Sequence, residues 1–269
     1  MSAVELGRYG FTIDVHDDQS HLGAAAEIES LGFGTLWIRG GQLSRLDLLT
    51  DLLQATQTAS VGSAIIAPDV YRPAEVTHVY EHAESVSPGR LAVGLGASQQ
   101  PHPLSRLGDY VDGMAAIPTS RRLLAAQGPR ALGIARDRFA GAMPMLFTPA
   151  RTAEARRLLG AEATLAVGLY CVLDTTAQSA RVAARRPLEF LTDVPAYTRS
   201  LARQGFSRRD VDTLSDHLVD MLVAWGEPRD IIGRARQLHT AGADHVYLTV
   251  LAGTSSAAEA ARLLAAAIG

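Results

Sequence analysis

The stretch Arg122-Leu123-Leu124-Ala125-Ala126-Gln127-Gly128-Pro129-Arg130 predicts a short buried strand that breaks at Gly128 and becomes a helix at Pro129. Proline suits the first helical turn, because its missing N–H would be unpaired there anyway. The N–H groups of the next residues then point outward from a positive helix end, an arrangement that receives phosphate. Alone this is a weak signal. Two more strand-to-glycine switches earlier in the chain make it part of a pattern.

Working outward, strands are expected at 9–14, 34–38, 61–67, 90–95, 122–126, 141–147, 163–173 and 244–251. Apolar residues at helical spacing fill the intervals at 21–31, 46–58, 74–85, 104–116, 130–139 and 149–159, with a last helix at 255–268. The stretch 175–223 reads as several helices punctuated at Pro187, Pro195 and Gly205, and 229–241 as another. Strands alternating with helices over 269 residues argue for a parallel (β/α)8 TIM barrel, one α/β domain spanning 1–269 with extra helices between the seventh and eighth strands. A doubly wound open sheet is the competitor. In a barrel the active site lies at the carboxyl ends of the strands, so the residues just after each strand matter most.

Composition narrows the chemistry. The formal net charge is −3 and charge is well mixed, which suggests no nucleic-acid surface. All 25 basic residues are arginine. That excludes a lysine Schiff base and a Walker lysine. Cys171 is the only cysteine, so disulfides within the chain and cysteine zinc clusters are excluded. It sits in an apolar run and reads as a small core residue. Met1 to Gly7 lacks the basic-then-apolar order of a signal peptide, and no apolar run reaches spanning length. A soluble, cytoplasmic protein with no membrane partner is expected.

The strand ends supply the candidates. After the first strand come Asp14, His16, Asp17 and Asp18, either a metal cluster or, with more support, a solvated loop in which Asp18 or Ser20 caps the next helix. Arg39-Gly40-Gly41 follows the second strand. An arginine there can hold a phosphate or carboxylate bidentately, or belong to a solvated turn. Gly62 interrupts an otherwise β-branched third strand. It marks a bulge or close backbone approach, against which a flat ring could lie, or an ordinary tight barrel position. Gly94-Leu95-Gly96-Ala97-Ser98 leaves space at the fourth mouth without being a dinucleotide fingerprint. His78-Val79-Tyr80-Glu81-His82 matches H-x-x-E-H. Its helix is an outer one, remote from the mouths, and a surface or packing role is preferred to zinc. Met143 and Met145 share one face of the sixth strand and read as core.

Together the Gly10-Phe11 opening, Leu31-Gly32-Phe33-Gly34-Thr35-Leu36-Trp37, Val61-Gly62-Ser63-Ala64-Ile65, Ser87-Pro88-Gly89-Arg90-Leu91-Ala92-Val93-Gly94-Leu95-Gly96 and Gly128-Pro129-Arg130 carry a resemblance. Asp216-His217-Leu218-Val219-Asp220, Ala224-Trp225-Gly226 and Ala241-Gly242-Ala243-Asp244-His245-Val246 extend it. The chain resembles the luciferase-like monooxygenase superfamily, in particular its actinobacterial branch that uses the deazaflavin coenzyme F420. The resemblance implies a homodimeric barrel with the flavin-like ring at the strand mouths. It implies a non-proline cis peptide at Ala64–Ile65 behind the ring, Ala97 and Ser98 flanking it, and Gln127, Gly128 and Pro129 at the coenzyme phosphate, with amides near Arg130 donating. Two positions depart from the family. Gly40 and Gly41 stand where many members have Asp-His, and Gln99 stands near a glutamate of related sugar-phosphate dehydrogenases. These changes argue against a sugar-phosphate substrate.

The reading is an F420-dependent oxidoreductase that moves hydride between deazaflavin and a small organic molecule. Asp14, His16 and His102 are the candidate catalytic proton carriers. Arg39, Gly40, Ala64, Ile65, Gly96, Ala97, Ser98, Gln127, Gly128, Pro129 and Arg130 are the candidate cofactor residues, and no metal is expected. An FMN monooxygenase of the same fold and a degenerate cofactor-binding barrel are the alternatives.

Overall fold

The computed structural model describes residues 5–98, 100–254 and 256–269. In chain order the elements are β1 (Tyr9–Ile13), α1 (Ser20–Ser30), β2 (Thr35–Arg39), α2 (Leu48–Ala55), β3 (Ser60–Ala64), α3 (Pro73–Val86), β4 (Leu91–Leu95) and α4 (Pro103–Asp112). Then come β5 (Arg122–Leu124), α5 (Pro129–Arg138), β6 (Gly141–Ala142), α6 (Pro149–Leu159) and β7 (Thr164–Val172). The last third contains α7 (Ala177–Thr192), α8 (Pro195–Arg203), α9 (Arg208–Thr213), α10 (Asp216–Leu222), β8 (Val223–Trp225), α11 (Pro228–Thr240), β9 (His245–Ala252) and α12 (Ala257–Ile268). The helices α3, α4, α5, α6, α8 and α11 all begin on proline, where the ring presets φ and no bond is lost.

The pairings are parallel, and the order β1–β2–β3–β4–β5–β6–β7–β9 closes because β9 pairs with β1. The expected (β/α)8 barrel is therefore observed, and closure excludes the open sheet. Register divides the side chains. Phe11, Ile13, Leu36, Ile38, Val61 and Val93 face outward and are fully buried beneath the helices, each contributing roughly 1.5–3 kcal/mol. Inside, Trp37 lies beside Gly62, and Tyr247 lies between Gly10 and Gly168. A third core joins α7–α10 to Tyr170, Val172 and Val223 above the barrel.

Two expectations fail locally. The strand expected over 141–147 pairs only at Gly141–Ala142. Pro144 has no N–H for a ladder, and Leu146 takes φ +58°, so only a bridge from Met145 to Gly168 follows. The helical reading of 175–223 omits β8. This strand pairs with β7, Val223 opposite Tyr170, above the point where β6 ends, and so heightens the wall at the carboxyl end. Pro187, read as punctuation, lies inside a continuous α7.

Candidate active site

Strand alternation builds the mouth one layer above Trp37 and Tyr247. On the β3–β4 side the inward positions are Ala64 and Gly96. On the opposite side they are Thr12, Arg39, Tyr170 and Thr249. One half of the mouth is therefore small and apolar, the other polar. Thr12 and Thr249 hydroxyls bond each other at 2.7 Å, and Arg39 pairs with Asp14.

Gly62 is not a bare wall for a ligand. A Cβ there would lie 2.3 Å from Trp37 Cζ3, so the flat ring against this glycine is the chain's own indole. Trp37 Nε1–H donates to His245 Nε2 at 3.1 Å, and His245 Nδ1 bonds the Gly7 carbonyl at 2.8 Å. Both ring nitrogens are used in the neutral form. Burial lowers the His245 pKa to about 4. One step higher, the Ala64–Ile65 peptide is cis, at the position the resemblance implies. Gly40 packs on it: a Cβ would come within 2.4 Å of the Ile65 carbonyl oxygen, whereas nothing lies within 4 Å of one on Gly41.

The strand-to-helix switch after β5 forms as expected. Gly128 is the N-cap of α5 in extended conformation and Pro129 takes the first helical position. Arg151, almost wholly buried, donates from Nη2 to the Gln127 carbonyl at 3.1 Å and stacks its guanidinium 5.1 Å from the Phe147 ring. Arg203 from α8 faces the glycine: a Cβ on Gly128 would sit 3.6 Å from its Nη1. Backbone donors, a helix end and a guanidinium thus converge beside the small half of the mouth.

Residues 15–123 match the family model described as luciferase-like monooxygenase. That match spans less than half of the chain. No curated protein matches it in sequence. Among solved structures it is similar to an F420-dependent secondary alcohol dehydrogenase in complex with an F420-acetone adduct, at 15% identity and TM-score 0.77, over 99% of this chain and 98% of that one. The coenzyme F420-dependent tetrahydromethanopterin reductase from Methanopyrus kandleri is similar at 15% identity and TM-score 0.66, over 96% and 98%. So is the oxygenating constituent of 3,6-diketocamphane monooxygenase from Pseudomonas putida, in complex with FMN, at 11% identity and TM-score 0.68, over 97% and 98%. At these identities the likeness concerns the fold.

The remaining candidates spread around the mouth of the barrel. Asp14 and His16 line one cavity of about 180 Å³ between the tops of β1 and β9, closed by the start of α12. His16 donates its backbone N–H to His21 Nδ1 at 3.2 Å. His102 is exposed at φ +59°, where it begins α4 away from that cavity. Ser98 donates to Asp69 at 2.6 Å and accepts from the Gln100 N–H, tying the β4 loop to the β3 loop. Ala97 is half-buried beside it, and Pro129 and Arg130 are exposed. Gln99 lies outside the described residues. His78, Glu81 and His82 are exposed on α3, and no group of three metal-ligating side chains occurs among the described residues. Met143 is core, and Met145 is partly buried within the barrel. Among the described residues no helix is long and apolar enough to cross a membrane.

Sequence reasoning overlooked three tyrosines. Tyr170 and Tyr247 sit at inward positions of β7 and β9, and the phenol of Tyr197 on α8 hydrogen-bonds the Gln127 side chain. Alternation along the two strands is a usable signal for the first pair. Nothing local marks Tyr197, which reaches the mouth only through the packing of α8.

Proposed function

We propose that this luciferase-like barrel is an F420-dependent oxidoreductase acting on a small organic substrate. The observation that carries the reading is the anion seat at the start of α5, with Gly128 open toward Arg203, directly beside a mouth half built of Ala64 and Gly96. The seat fits a phosphate: backbone donors at a helix N-terminus and a guanidinium bind it together. Gly128, the N–H groups after Pro129, Arg130 and Arg203 would hold the phosphate. Ala64, Ile65, Gly96 and Ala97 would form the wall for the ring, with Ser98 fixing the loop. The likeness to two F420-dependent enzymes supports the deazaflavin. When bound, that group supplies the hydride chemistry.

The chain's own residues bind, orient and exclude water. Trp37 and Tyr247 fill the barrel below the mouth, so no water column reaches the site from beneath. The helices α7–α10 cover the β7 side. Asp14, held by Arg39, and His16 share a cavity and are the groups placed to carry a proton at the rim. His102 is the weaker candidate because it faces solvent.

Thermal unfolding tests the reading. F420 at a hundred times its Kd should stabilise the protein by about 2.7 kcal/mol. Gly128→Asp should abolish that gain by placing an anion in the seat. Stabilisation by FMN alone would select the monooxygenase reading, and stabilisation by neither would select the degenerate barrel.

A further inference from the structure

The polar half of the mouth contains a buried donor that the chain leaves unpaired. Arg39 spends one terminal nitrogen on Asp14, but its Nε is buried with no hydrogen-bond partner. Tyr170 projects inward from β7, is 7% exposed, and its hydroxyl has no hydrogen-bond partner among the described residues. Both residues lie on the same half of the mouth, where the Arg39 charge favours the ionised form of the Tyr170 phenol against the larger effect of burial. The neighbouring polar groups are already matched. Thr12 and Thr249 satisfy each other, and the Gln127 amide, with its oxygen and nitrogen exchanged, pairs with the backbone N–H and C=O of Met145.

We propose that Arg39 and Tyr170 form a subsite that receives a neutral acceptor oxygen of the substrate, such as a carbonyl. This rests on the reading of the mouth as the active site. Of the two groups without partners, the Arg39 N–H is buried, where donors are normally paired, and the Tyr170 phenol is a second free donor. What completes them is an oxygen with lone pairs. Asp14 already neutralises Arg39, so the subsite has little net charge with which to hold a second anion, and a neutral oxygen fits better than a carboxylate. Burial pushes the Tyr170 phenol up against the opposing effect of Arg39, which keeps it protonated and donating at neutral pH. The oxygen is thereby fixed on the side of the mouth opposite Ala64 and Gly96, facing the wall assigned to the ring.

The full-length protein titrated with cyclohexanone labelled with ¹³C at the carbonyl tests this, with and without F420. The expected result is saturable binding with the C=O stretch moved to lower frequency. Tyr170→Phe should weaken binding about tenfold, the worth of one neutral hydrogen bond, and return part of the frequency shift. Methylenecyclohexane, which has the same shape without the acceptor, should bind the unaltered protein at least tenfold more weakly, a comparison that needs no variant. Equal affinity for ketone and alkene, an unchanged stretch in Tyr170→Phe, or no saturable ketone binding under either condition overturns the subsite. The outcomes separate from those of the cofactor reading. Ketone binding that depends on Tyr170 in a protein that binds neither F420 nor FMN leaves the subsite standing and removes the cofactor. F420 binding with ketone binding indifferent to Tyr170 does the reverse.

Discussion

Single residues decide how tightly this barrel is filled. Gly40 and Gly41 are adjacent and look alike in sequence, yet only Gly40 meets a backbone oxygen where a Cβ would go. Gly40→Ala should therefore cost about 1–3 kcal/mol through overpacking, while Gly41→Ala should stay within about 0.5 kcal/mol of the parent, as chemical denaturation will show. The first position therefore requires glycine, whereas the second has room for a side chain. His245 carries a second prediction. Its folded pKa, about 4, lies below the ordinary 6.5, so between these values the unfolded chain binds a proton that the native protein does not. Stability should be fully present above pH 6.5 and decline as pH falls toward 4, by up to about 3 kcal/mol. His245→Gln, which keeps one donor and one acceptor, should flatten that part of the pH–stability curve; an unchanged slope would show that the Trp37–His245–Gly7 chain is not its source.

At the level of elements, the strands and helices of the barrel wall were legible because their periods differ and because glycine and proline mark most of their ends. β6 was overestimated, since the apolar run continues through Met143 and Met145 although Pro144 ends the ladder. β8 was overlooked, since three residues directly after a helix present no period at all. The cover helices were visible as helices, but their placement was not. It depends on long-range pairing: Arg181 on α7 holds Asp220 on α10 through two nitrogens at 2.9 and 2.6 Å, and Trp225 of β8 donates to the same carboxylate at 2.9 Å. Asp220→Ala should loosen this region by about 1.5–3 kcal/mol. The effect should be read as faster amide exchange confined to α7, α10 and β8, with β1–β4 unaffected. Loss of protection across the whole barrel would mean that the cover and the barrel unfold as one unit.

Across the whole molecule, the polar and apolar halves of the mouth face each other, and the proposed anion seat at the start of α5 adjoins the apolar half. The glycine–proline start of α5 was readable because its physics is local. The polar half was readable only at Arg39 and Asp14, because Tyr170 on β7 and Tyr197 on α8 join them only after the barrel closes. That closure also corrects the reading of Gly62, whose open face accommodates Trp37. The central claim is that the α5 seat takes the phosphate of a deazaflavin lying against Ala64 and Gly96. An absorbance-monitored titration of the purified protein with oxidised F420, run beside FMN, tests it most directly. Saturable, stoichiometric F420 binding that disappears in Gly128→Asp is the predicted result; F420 affinity left intact by that substitution, or tight FMN binding with none for F420, would contradict it.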